Sequence, residues 1–143
     1  MSEFSIDFKA RATGADLKLM VKLDGIVVHD EELGTEFSNI SHTCADVDGA
    51  EYVLEIIMQG KQPHHTVLDG AGNIIDDRII EITDVCLDNI PLEHTFYELA
   101  DYTHDFNGTG SKVIEKFYGK MGCNGHVTLK FSGPIYLWLL ENM

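Results

Sequence analysis

The segment Leu17-Lys18-Leu19-Met20-Val21-Lys22-Leu23-Asp24-Gly25-Ile26-Val27-Val28 places two runs of extended character on either side of an Asp-Gly pair. Leu17, Leu19, Val21 and Leu23 alternate with Lys18, Met20 and Lys22, the period of two that puts successive side chains on opposite faces of a strand. Two such runs joined by Asp-Gly read as a β-hairpin with a type I′ turn, because that turn needs positive φ at both central positions.

The same grammar extends in both directions. On the N-terminal side, Phe4, Ile6, Phe8 and Ala10 alternate with Ser5, Asp7, Lys9 and Arg11. On the C-terminal side, the Ser- and Thr-rich run from Glu36 to Cys44 reads as a strand. The turn Asp46-Val47-Asp48-Gly49 leads into another, Glu51 to Met58, whose β-branched residues and Tyr52 favour extended chain over helix. Gln62-Pro63-His64-His65 and Asp69-Gly70-Ala71-Gly72-Asn73 mark loops. Arg78 to Leu87 reads as one long central strand, and Pro91 beyond it confines any continuation to an edge.

Residues 93–125 differ in character: Phe96, Tyr97, Tyr102, Phe106, Phe117 and Tyr118 lie among Asp, Gly, His and Asn with no extended period. They read as a long loop insertion, with a short helix near Ser111 to Tyr118 where Val113, Ile114, Phe117 and Tyr118 fall at helical spacing. His126 to Phe131 reads as a strand, Gly133-Pro134 as a turn, and Ile135 to Leu140 as a closing strand. About eight short strands joined by Gly, Asp and Asn turns predict an all-β fold, an antiparallel jelly-roll-like β-sandwich forming a single domain over 1–143. The long amphipathic helices of a parallel α/β fold are absent.

Charge excludes one class of function. The 24 Asp and Glu against 10 Lys and Arg give a formal charge of −14, the wrong sign for neutralising phosphate, so nucleic acid is not an expected partner. Neither a basic leader followed by an apolar stretch nor a membrane-length apolar run is present, which predicts cytosolic synthesis without a signal peptide and no membrane partner. Cys44, Cys86 and Cys123 are odd in number and show no CxxC spacing, so they read as reduced, packed thiols.

Two acidic turns are candidate calcium sites. Asp46, Asp48 and Glu51 form one group, and Asp69, Asn73, Asp76 and Asp77 form the other around a Gly-rich turn. Calcium takes six to eight oxygens, which several carboxylates plus loop carbonyls can supply. Backbone turn chemistry explains the same residues without any ion, so both readings stand at this point. His94 and His104, near Asp101 and Asp105, are residue types that zinc or iron uses, but no HxH or HExxH spacing joins them. No nucleophile elbow and no distinctive carboxylate pair is present, so no catalytic residue is assigned and the chain reads as a non-enzyme. Phe96, Tyr97, Tyr102, Phe106 and Tyr118 are the candidate binding surface, since exposed rings stack on sugars or anchor protein partners. The competing reading is a loop pinned to the sandwich by its own aromatics.

Some of these segments resemble known families. Val21-Lys22-Leu23-Asp24-Gly25, the strand Gly49-Ala50-Glu51-Tyr52-Val53-Leu54-Glu55-Ile56 and the run from Asp76-Asp77-Arg78 to Val85 are similar to the opening of calcium-dependent carbohydrate-binding modules of the xylan-binding kind. That resemblance covers roughly the first 90 residues and implies a jelly roll with calcium as cofactor and a glycan as partner. The C-terminal part, Phe117 to Gly125 and Ile135 to Met143, looks like small virion or accessory proteins of tailed bacteriophages. It implies a structural protein within a virion, a capsid decoration or fibre-associated component with protein partners, including other copies of itself. The expectation is therefore a non-enzymatic structural or binding accessory of a phage assembly, with a calcium-dependent carbohydrate-binding module as the alternative.

Overall fold

The computed structural model describes residues 2–143. Its strands build two antiparallel sheets. Strands β1 (Glu3–Ala12), β4 (Ser38–Ala45), β8 (Ile80–Leu87) and β12 (Lys120–Met121) lie in the order β12-β8-β1-β4, and β9 (Ile90–Pro91) pairs with β8. Strands β2 (Lys18–Leu23), β3 (Ile26–Glu32), β5 (Glu51–Gln59), β10 (Asp101–His104), β11 (Val113–Lys116) and β13 (Gly125–Ser132) form the second sheet, in the order β11-β10-β13-β5-β2-β3. Strands β6 (Val67–Leu68) and β7 (Ile74–Asp76) make a separate small hairpin.

Alternation dictates which face is buried. Phe4, Ile6, Phe8, Ala10 and Ala12 of β1 point inward, as do Tyr52, Leu54, Ile56 and Met58 of β5 and Val127, Leu129 and Phe131 of β13. These side chains form one hydrophobic cluster between the sheets. Phe4 crosses the sandwich to meet Tyr52 and Phe131 edge-on, at 5.3 and 5.8 Å between ring centroids, while Tyr52 and Phe131 stack at 5.2 Å. Such aromatic contacts add to the transfer free energy of the buried area.

The Asp24-Gly25 hairpin forms as its residues require, with φ of 52° and 81° at the two turn positions. β4 and β5 lie where the sequence predicts strands. β8 is more irregular than its uninterrupted pattern suggested. Ile80 and Ile82 are buried, but Asp84 adopts φ 56° in a bulge opposite Phe8, and burial then switches to Val85 and Leu87. The extra residue flips the face parity.

Three expectations are overturned. Residues 93–125 are not a loop insertion: they contain helix α1 (His94–Leu99) as well as β10, β11 and β12. The helix expected near Ser111 to Tyr118 is instead β11, paired along β10, and the short helix lies earlier, where Phe96 packs edge-on against Phe117 at 5.8 Å. Ile135 to Leu140 is likewise not a strand but the body of helix α2 (Ile135–Asn142). Its inner face, Ile135, Trp138 and Leu139, is buried, with Trp138 against Phe131. Pro134 stands at the N-cap, and the Asp46 carboxylate accepts the first helical N–H, from Ile135, at 3.2 and 3.3 Å. An anionic side chain at a helix start satisfies an otherwise orphan donor and opposes the helix dipole favourably.

Candidate functional site

At one end of the second sheet, β10 finishes and β13 begins directly opposite: His104 pairs with Gly125 and Thr103 with His126. β11 starts beside them, with Val113 opposite His104. Between these strand ends opens a cleft of about 330 Å³ lined by Thr103, His104, Asp105, Lys112, Asn124, Gly125 and His126. Gly125 is required at its floor, because a Cβ there would lie 2.3 Å from the Thr103 carbonyl oxygen.

The loop from Asp105 to Lys112 forms the rim, and it is held rigidly. Asp105 accepts the Gly108 N–H at 2.8 Å, the Gly110 N–H reaches the Asp105 carbonyl at 3.0 Å, and the Thr109 hydroxyl donates to the Phe106 carbonyl at 2.6 Å. Phe106 and Asn107 both adopt left-handed backbone, at φ 57° and 59°. That region is unfavourable for a bulky aromatic residue and persists only where its surroundings enforce it. The result is a Phe106 ring that remains 47% exposed, seated edge-on over His104 at 4.8 Å. Gly110 makes room for it, since a Cβ there would come within 2.8 Å of the ring.

Beneath the rim, His104 is buried and bridges the cleft wall. Its Nε2 lies 3.1 Å from a Glu115 carboxylate oxygen and its Nδ1 accepts the Phe106 N–H at 3.4 Å, an arrangement that puts the ring proton on Nε2. Tyr102 also packs against the imidazole, at 4.6 Å between ring centroids. Its hydroxyl donates to the Cys123 carbonyl and accepts the Cys123 N–H at 2.9 Å, fixing the turn that delivers Asn124. Burial pushes the Tyr102 hydroxyl well above its ordinary range, so it stays a neutral clamp. The Asn124 N–H in turn reaches the Asn107 side chain at 2.8 Å, tying floor to rim.

The aromatic residues singled out in the sequence separate by burial. Phe96 and Tyr102 are core side chains, which removes them from any contact surface, and Tyr97 is partly buried against Phe96 and Phe117. Phe106 and Tyr118 are exposed. A larger hollow bounded by Tyr52, Phe131 and Trp138 presents no comparable ring, since all three are buried. Lys112, Asn124, Gly125 and His126 carry no local motif and escape sequence reading. They meet through the pairing of β10 with β13 and with β11, and of Asn124 with Asn107.

The candidate calcium residues do not converge. Among the described residues no group of three or more His, Cys, Asp and Glu is placed to hold a metal ion. Asp46 is committed to α2, while Asp48 and Glu51 are exposed. Asp69 closes its own turn, accepting the N–H groups of Ala71 and Asn73 at 2.8 and 2.9 Å, and these bonds hold its carboxyl below the usual range. Asn73 donates back to Asp69, and Asp76 is exposed at the end of β7. Burial pushes the Asp77 carboxyl up, but bonds from Lys61, Thr66 and the Arg78 N–H outweigh this and hold it below its ordinary value. His94 and Asp101 are exposed and likewise join no such group. The three cysteines are free thiols, raised in pKa chiefly by burial.

No family model and no curated protein matches the chain. Two solved structures share its fold. One is the selenomethionine form of vCBM60, from work in which circular permutation links two families of calcium-dependent carbohydrate-binding modules. It matches with a TM-score of 0.58 at 12% identity, over 88% of this chain and 89% of that one. The other is vCBM60 in complex with galactobiose, with a TM-score of 0.57 at 12% identity, over 87% of this chain and 96% of its own. At this identity the likeness shows the β-sandwich fold. The bacteriophage resemblance gains no support from them.

Proposed function

We propose that this protein is a non-catalytic carbohydrate-binding module that holds a glycan in the cleft beside Phe106. The observation that carries the reading is the Phe106 ring, exposed on left-handed backbone and seated edge-on over His104, which lines the polar hollow. A pyranose offers an apolar C–H face ringed by hydroxyls. A fixed aromatic ring receives the former, and Asp105, Lys112 and His126 offer donors and acceptors to the latter. The sandwich shared with vCBM60, one form of which is in complex with galactobiose, supports the same reading.

Calcium, on which the families of the two neighbours depend, does not fit the acidic groups as they are engaged in this chain. The proposed contact therefore runs through side chains, and the cation becomes an arm of the test. A glycan array followed by calorimetric titration, with galactobiose as the first probe, should find a saccharide that binds equally well in millimolar calcium and in EDTA. Phe106→Ala should weaken that binding by about tenfold or more while leaving the melting temperature nearly unchanged. An array with no bound glycan, or a Phe106→Ala protein of undiminished affinity, overturns the reading.

A further inference from the structure

Lys61 is a charged side chain in a place where charge is costly. The residue is 4% exposed, and its ammonium is enclosed by three oxygens from two separate segments: the Asp77 carboxylate and the Arg78 carbonyl at 2.6 Å from one, and the Gly122 carbonyl at 3.0 Å from the other. Taking an ion out of water is tolerated only when each of its hydrogen-bonding groups finds a partner. Here the count closes, since an ammonium has three N–H donors and the cage supplies three oxygens. Calcium asks for six to eight, so the cage suits a lysine tip and not that metal. Asp77 is itself steadied by the Thr66 hydroxyl at 2.7 Å and the Arg78 N–H at 2.9 Å.

We propose that Lys61 acts as a tethered cation: its ammonium occupies an oxygen site and does there what a bound metal ion does, clamping the segments around Asp77 and Gly122 to its own. This goes beyond the glycan reading and stands without it. The clamp also reaches the cleft, because the Lys61 backbone is paired with the side chain of Asn124, which lies on the cleft wall.

Two substitutions separate the charge from the volume. Lys61→Ala empties the cage of its cation but leaves the oxygens, and it should lower the melting temperature by about 10 °C. Methylammonium, a free copy of the lysine tip, should restore several degrees of that loss at concentrations that leave the wild type unmoved, as mass action requires for a ligand of the folded state. Tetramethylammonium, which has no N–H donor, should restore none. Lys61→Met, which fills the space without charge, should be destabilised and should not respond to methylammonium. A Lys61→Met protein that melts within a degree of wild type overturns the proposal, as does a Lys61→Ala protein that both cations shift equally or that neither shifts. Should Lys61→Ala not fold, amine acetylation of the wild type followed by mass spectrometry decides instead. Lys61 should be the last lysine modified, at a rate set by global unfolding. Modification at the rate of exposed Lys130 contradicts the clamp.

Discussion

The side-chain amide of Asn124 pairs with the backbone of Lys61 in both directions, accepting its N–H at 2.9 Å and donating to its carbonyl at 3.0 Å. Two residues 63 positions apart are thereby joined as strand neighbours would be, although neither lies in a paired strand there. Asn124 also gives its own N–H to Asn107, so the buried lysine, the cleft wall and the rim loop form one hydrogen-bonded chain.

Asn124→Ala should therefore cost stability and function together. Losing two partly buried hydrogen bonds and leaving the Lys61 backbone groups without partners is worth about 2–3 kcal/mol, read from the urea midpoint at constant m-value. Glycan affinity should fall as well, because the rim loses its anchor. Stability unchanged within 0.5 kcal/mol would show the pairing to be incidental.

Asp46 is a capping residue in this account and not a calcium ligand. Asp46→Ala should cost about 1 kcal/mol, the usual worth of an N-terminal helix cap, and the loss should be the same with or without calcium. Asp46→Asn, which keeps an acceptor oxygen, should recover part of it. Calcium-dependent destabilisation in thermal melts would return Asp46 to the metal reading.

The Asp24-Gly25 hairpin and the strands of the first half were legible because alternation and turn chemistry are local. The bulge at Asp84 was not, since it is imposed by the neighbouring β1. Ile135 to Leu140 read as a strand because six contiguous apolar residues carry no period. What makes them a helix includes a cap from Asp46, 89 positions away. β10 and β11, four residues each, were too short to show alternation, and β10 buries Thr103 and His104 where the pattern expects apolar residues. For the site, the density of aromatics pointed to the segment containing Phe106 but could not separate it from buried Phe96 and Tyr102. Lys61 and Asn124 belong to no motif and are defined only by long-range pairing.

Stability should depend on pH in two windows. His65 is buried, with Nδ1 accepting the Gln62 N–H at 3.1 Å; burial first, then the nearby Arg78 charge, lowers its pKa from the ordinary 6.5. The unfolded chain thus binds a proton near pH 6 that the folded chain refuses, so stability should decline as pH falls through 6.5 toward the lower folded value. His65→Gln should flatten that limb of a melting-temperature profile. Asp69 and Asp77 are depressed below their ordinary 3.8, so their contribution is complete above that value and is lost as pH drops through their folded pKa values. Asp77→Asn should shrink the acid limb. A wild-type profile flat from pH 7 to pH 5 would contradict the His65 assignment.

The central claim, that the cleft beside Phe106 receives a glycan, is tested most directly by mapping backbone amide shifts while a bound saccharide is titrated into the ¹⁵N-labelled protein. The account predicts progressive, saturable shifts confined to Thr103 through Lys112 and Cys123 through His126, largest around Phe106 and Asn124 and unchanged by EDTA. Shifts centred on another face of the sandwich, such as the hollow bounded by Tyr52 and Trp138, would contradict it.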